Sequence, residues 1–164
     1  SENYENWGNY ASVLFLILMF IGGCAGSTTG GLKVFRFQIL FKFISSHLKK
    51  MLHPHAVIVS HFNDKKIQSS TFDSVMSFFF VYIITFAFSA LLLSFSGLDF
   101  LTCFSAAASA ISNVGPGLGD IIGPNGNYSS LSNYSKMILF FTMFLGRLEM
   151  LTILVLFIPS FWKN

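Results

Sequence analysis

Phe72–Phe95 is a nearly unbroken apolar run that carries one acid, Asp73, and is punctuated by Gly97-Leu98-Asp99. It passes the roughly 18-residue threshold for a candidate membrane span. Once one segment lies in hydrocarbon, the rest of the chain is constrained as well. Irregular backbone at membrane depth survives only where protein buries it or where it lines a water-filled path. Composition points the same way. The chain is 53% hydrophobic and 10% charged, where a soluble domain carries about 25% charge. Mean hydropathy is +0.65. The sequence is that of an all-α integral membrane protein.

Two further apolar patterns flank that run. The first begins at Tyr10, after a polar, aromatic opening that includes Tyr4 and Trp7, as expected at a bilayer surface. It is broken by Gly22-Gly-Cys-Ala-Gly-Ser-Thr-Thr-Gly-Gly31 and resumes from Leu32 to about His47. Glycine costs roughly 1 kcal/mol per helix-interior position relative to Ala. Glycines at 22, 23, 26, 30 and 31 therefore predict a real interruption, in which Ser27, Thr28 and Thr29 can satisfy freed backbone groups. The last pattern spans about Tyr134–Phe161. The opening residues lack Met and look like the middle of a chain, which predicts a piece of a longer protein.

Charge orients these elements. Lys33, Arg36, Lys42, Lys49, Lys50, Lys65 and Lys66 face one acid, Asp64, so residues 53–71 read as a cytoplasmic loop. Val34–Leu52 reads as a basic amphipathic helix near anionic lipid. Asp120–Asn133 has no basic residue and belongs on the opposite side. The basic residues are spaced as a membrane flank, which disfavours nucleic acid as a partner. Asn127-Tyr-Ser and Asn133-Tyr-Ser match glycosylation acceptors, a motif too common to carry weight.

Between the last two spans lies the stretch with the most chemical content. Leu98–Ile111 would be about 21 Å long as a helix, short of the roughly 30 Å hydrocarbon core. It is followed by Ser112-Asn-Val-Gly-Pro-Gly-Leu-Gly119. This order predicts a re-entrant hairpin: a first helix over 72–95, a short helix over 98–111, a loop over 112–119 and a second helix over 134–161. Such a module presents backbone carbonyls to an ion in place of its hydration shell. Gly115, Gly117 and Gly119 can take positive φ, which lets successive carbonyls point one way. Pro116 stiffens the loop, and Asn113 either adds an oxygen or braces it. The partly negative end of the short helix would favour a cation there. A plain turn between helices is the competing reading, and the preceding short helix weighs against it.

Other chemistries fit poorly. A phosphate loop needs G-x-x-x-x-G-K-[ST], whereas Gly26–Gly31 is followed by Leu32-Lys33-Val34. His47, His53, His55 and His61 lack the acids or cysteines of a metal site. Cys24 and Cys103 make no disulfide framework. No catalytic constellation exists, so the chain is not read as an enzyme, and no bound cofactor is expected. Arg147 and Glu149 lie inside the last apolar pattern, where ionisable groups face a protein interior or a wet cavity. Residues two apart on a helix do not face each other, so Arg147 should reach other partners, and the broken segment Gly22–Gly31 suits its donors.

Together, Ile21–Lys33, Ser112–Gly119 and Gly146-Arg-Leu-Glu149 resemble the TrkH/KtrB potassium-uptake family, in the family's order and over essentially the whole chain. The resemblance implies four helix–pore-loop–helix repeats around one pore. Residues 1–52 would be the second membrane helix of a preceding repeat, broken at 22–31, and residues 72–162 a complete repeat. It implies K+ as the transported ion, held at Asn113, Val114 and Gly115, with Ser112, Pro116 and Gly117 supporting the filter. Gly22, Gly23, Gly26, Ser27, Thr28, Thr29, Gly30 and Gly31 would form the intramembrane gate loop, anchored by Arg147. Implied partners are three further pore repeats, a second copy in a homodimer, membrane lipid and a cytosolic TrkA/KtrA-like nucleotide-binding regulator. The implied location is the bacterial inner membrane. The alternatives are a non-transporting remnant or accessory membrane protein, and a transporter of sodium or another monovalent cation.

Overall fold

The computed structural model describes residues 7–24, 26–27, 29–53, 61–62, 65–66 and 69–147, with backbone alone at 61–62, 65–66 and 69–70. Thr28, Glu149 and the expected helical stretch 148–161 lie outside the described residues.

The described chain is helical. Helix α1 covers Asn9–Phe20 and ends at Ile21 in extended backbone (φ −87°, ψ 108°), just before the Gly22-Gly23 pair. Helix α2 covers Val34–Leu52 and carries Lys49 and Lys50 in its last turn, where positive charge suits the helix dipole. A two-residue antiparallel ladder, β1 (His61–Phe62) with β2 (Lys65–Lys66), follows. Helix α3 covers Ser69–Ser94, 26 residues or about 39 Å of helix. Its segment Thr71–Ser94 is the one helix among the described residues long and apolar enough to cross a membrane.

Helix α4, Phe100–Ser112, is too short to cross and is instead enclosed by protein. Asp99 caps its start, its carboxylate accepting from the Leu101 N–H at 3.3 Å. Asn113 ends it in the left-handed region (φ 54°, ψ 43°), a conformation that Asn tolerates better than most residues. Ala106, Ala107, Ala108, Ala110 and Ile111 are fully buried. Helices α1, α3 and α5 (Asn133–Arg147, as far as it is described) all pack on α4. The small side chains of α4 permit this: without bulk at the contact, neighbouring backbones approach closely. At Gly146 the approach is closest, because a Cβ there would collide with the Ile111 carbonyl.

Hydroxyl pairs tie the bundle together where apolar packing alone gives little direction. Ser89 of α3 meets Thr142 of α5 at 2.9 Å, and Ser135 of α5 donates to Ser96 at 2.9 Å. Membrane hydrogen bonds of this kind are worth about 0.6 kcal/mol on average. Aromatic edges fill the α1–α3 contact, with Phe20 against Phe86 at 5.1 Å between centroids. Helix α2 leans on α3 through Phe37–Phe79 and Phe43–Phe72, and the Arg36 guanidinium lies 3.6 Å from the Phe78 ring centre. The outward face of α3, including Phe80, Ile83, Phe88 and Leu91, remains exposed and apolar.

Candidate functional site

The site is built from two irregular segments that meet at the carboxyl end of α4. The first is the loop between α1 and α2. Its neck is closed by backbone bonds: Leu32 N–H to Phe20 O at 3.0 Å, Gly22 N–H to Leu32 O, and Val34 N–H to Gly23 O at 3.2 Å. Ile21 and Leu32 form a parallel bridge. Inside the neck, side chains replace the missing helix partners. Thr29 Oγ1 accepts from the Gly23 N–H at 3.0 Å, and Ser27 Oγ accepts from the Thr29 N–H at 3.2 Å. Ser27 and Thr29 thus satisfy backbone groups freed by the break, as their residue types suggest.

The second segment is the loop after α4, and it is anchored by two serines of that helix. Ser109 Oγ accepts from the Gly115 N–H at 3.1 Å, and Ser105 Oγ accepts from the Leu118 N–H at 2.9 Å. Ser109 also offers its carbonyl to the Val114 N–H at 3.0 Å. Ser105 and Ser109 lie four residues apart and therefore on one face of α4, which turns the loop's N–H groups back towards the helix. Among the described residues, no hydrogen bond reaches the carbonyls of Asn113 or Val114. The Gly115 carbonyl, by contrast, accepts from the Tyr128 hydroxyl at 2.6 Å.

Each expected loop residue has a definite place. Asn113 braces: its Nδ2 donates to the Met143 carbonyl of α5 at 3.2 Å. Ser112 is buried, and its hydroxyl pairs with Tyr82 of α3 at 2.7 Å. Val114, Gly115 and Pro116 are exposed within this chain. The expectation of positive φ at all three loop glycines needs correction. Gly115 (φ 113°) and Gly119 (φ 92°) adopt it, but Gly117 does not. Gly117 is required for space instead, since a Cβ would run into the Ile122 side chain.

The two segments touch. A Cβ on Gly30 would lie 2.5 Å from the Ser112 carbonyl oxygen and 3.0 Å from Asn113 Nδ2, and one on Gly31 would contact the Ser112 side chain at 3.4 Å. The 22–31 loop therefore sits directly against the first residues of the 112–119 loop. Gly26 is exposed, with nothing near its would-be Cβ. Arg147 joins them. A cavity of about 60 Å³ is lined by Ser27, Thr29, Gly31, Lys33, Arg36, Phe78, Gly146 and Arg147. The arrangement brings the carboxyl end of a short helix, and two carbonyls that accept no hydrogen bond among the described residues, against a glycine-rich loop that has an arginine beside it.

Sequence alone does not single out Ser105, Tyr82 or Tyr128. The pattern Ser105-Ala-Ala-Ala-Ser109 held a usable signal, because hydroxyls four apart in an apolar short helix need partners. Nothing local marks Tyr82 or Tyr128.

Comparison with known proteins identifies the chain's relatives. The chain matches the TrkH family, described as a cation transport protein, over residues 1–164. It is 45% identical to the Trk system potassium uptake protein TrkI of Halomonas elongata, and 38% identical to TrkH of Escherichia coli. Both matches cover 100% of this chain and 33% of the relative, so the chain spans about a third of the length of these curated relatives. The crystal structure of the potassium transporter TrkH from Vibrio parahaemolyticus superposes with a TM-score of 0.85 at 36% identity, over 97% of this chain and 33% of that one.

Proposed function

The chain belongs to the TrkH cation transport family, and from that premise we propose that it forms part of the pore of a potassium-uptake transporter. Asn113, Val114 and Gly115 supply one wall of the selectivity filter, with K+ as the transported ion. The 22–31 loop is the obstruction beneath it, and Arg147 steadies that obstruction. The remaining walls come from three further repeats of the complete transporter. A homodimer in the bacterial inner membrane, under a TrkA/KtrA-like nucleotide-binding regulator, is the assembly this reading implies.

One observation carries the reading: the 22–31 loop packs against the Ser112 backbone at Gly30, where only glycine fits, beside a loop whose next two carbonyls accept no hydrogen bond among the described residues. A filter needs oxygens held in place but not consumed by the protein, and a gate needs to lie in line with them. The names of the relatives, potassium uptake proteins, support K+ as the cargo. Expression of the complete protein in a potassium-uptake-deficient host should restore growth in low potassium. Failure of rescue at normal membrane levels, or rescue accompanied by sodium-selective flux, would overturn the reading.

A further inference from the structure

Gly115 is held on both sides by side chains outside its own loop, one on each of its two peptide units. Ser109 Oγ takes its N–H at 3.1 Å, and the Tyr128 hydroxyl bonds its carbonyl at 2.6 Å. Glycine at φ 113° has no Cβ to restrict it, so the bond from Tyr128 helps set the direction of the carbonyl that Gly115 shares with the Pro116 peptide. Tyr128 is itself firmly seated. It opens a short 3₁₀ turn, Tyr128–Ser130, whose start is capped by Asn127 Oδ1 accepting from the Ser129 N–H at 3.0 Å. Lys136 of α5 donates to the Ser129 carbonyl at 2.7 Å. The half-buried ring packs on the core around α4.

We infer that Tyr128 is a positioning residue for ion selection, its hydroxyl fixing the Gly115 carbonyl and so setting how many oxygens this loop offers a cation. A carbonyl engaged by a phenol presents a weaker and directionally fixed ligand, whereas its neighbours at Asn113 and Val114 stay available. Filters discriminate K+ from Na+ through cavity size or through the number and field of their carbonyls. Releasing Gly115 alters both, because the freed carbonyl can swing onto a smaller ion. This inference rests on the potassium-uptake reading.

The test compares wild-type and Tyr128→Phe versions of the complete transporter in vesicles, measuring potassium and sodium uptake over a range of concentrations. Phenylalanine keeps the ring and removes the hydroxyl, and with it both the bond to the Gly115 carbonyl and the contact with Ser109. The expected result is a fall of about fivefold in the potassium-to-sodium ratio, the factor carried by a hydrogen bond worth about 1 kcal/mol. The change should appear as a shift in apparent KM for the two ions, which a merely structural contact would not move. An unchanged ratio in a variant present at normal levels overturns the inference. So does a variant that fails to insert, since the bond would then serve folding. No potassium uptake by the wild type defeats the transport reading and this inference with it.

Discussion

Gly30→Ala is the perturbation whose effect follows most directly from the contact between the two loops. The added methyl would lie 2.5 Å from the Ser112 carbonyl oxygen and 2.8 Å from its carbon. An unstrained contact needs roughly 3.5 Å, so about 1 Å must be relieved. Both sides of the contact are backbone. Ser112 is fixed by its bond to Tyr82, and the neck of the 22–31 loop by its bridge at Ile21–Leu32. Overpacking of this kind typically costs 1–3 kcal/mol, about fivefold to 150-fold in an equilibrium. The cost falls on the state in which the two loops touch at Gly30 and Ser112, which is the closed state on the proposed reading. Basal potassium flux of the complete transporter, measured in vesicles without regulator, should therefore rise. Gly26→Ala, in the same loop but with nothing within 4 Å of its would-be Cβ in this chain, should raise flux less than Gly30→Ala. Unchanged flux in Gly30→Ala, or lost flux at normal membrane levels, would refute the reasoning that this contact closes the pore.

Three further outcomes are expected. Arg147→Ala should raise basal flux in the same direction as Gly30→Ala, because Arg147 shares a cavity with Ser27, Thr29 and Gly31; radiotracer uptake would reveal it. Ser109→Ala leaves the Gly115 N–H without its partner, at a cost of about 1–3 kcal/mol, so ion selectivity should weaken and the detergent melting temperature should drop. The dependence on pH should be flat from about pH 6 to pH 9. Burial pushes the Tyr128 phenol above its ordinary value near 10, outweighing the opposing pull of its hydrogen bond to Ser109. The phenol thus remains a protonated donor across this range, and loss of the bond requires more alkaline solution. A selectivity ratio that falls between pH 7 and pH 9 would contradict that assignment.

The sequence was informative wherever a local rule governs the backbone. Five glycines between Gly22 and Gly31 in an apolar run have no helical solution, and the structure breaks the helix after Phe20. Asp99 signalled the start of the short helix, which runs from Phe100 to Ser112. What remained hidden depends on elements distant in the chain. Asn113 braces Met143, thirty residues on, and its choice of partner is decided by where α5 passes. Gly117 was read as a conformational glycine, yet the requirement comes from Ile122 filling the space beside it. Tyr82 and Tyr128 look like ordinary interfacial or core tyrosines until α3 and the 3₁₀ turn bring their hydroxyls to Ser112 and Gly115.

The central claim is that the Asn113–Gly115 backbone is one wall of a potassium filter. Anomalous diffraction from crystals of the complete transporter soaked in rubidium, a stand-in for K+, tests it most directly. On this account rubidium peaks are expected at the Asn113 and Val114 carbonyl oxygens, with weaker engagement of Gly115. Rubidium bound along the pore but absent from these two carbonyls would contradict it.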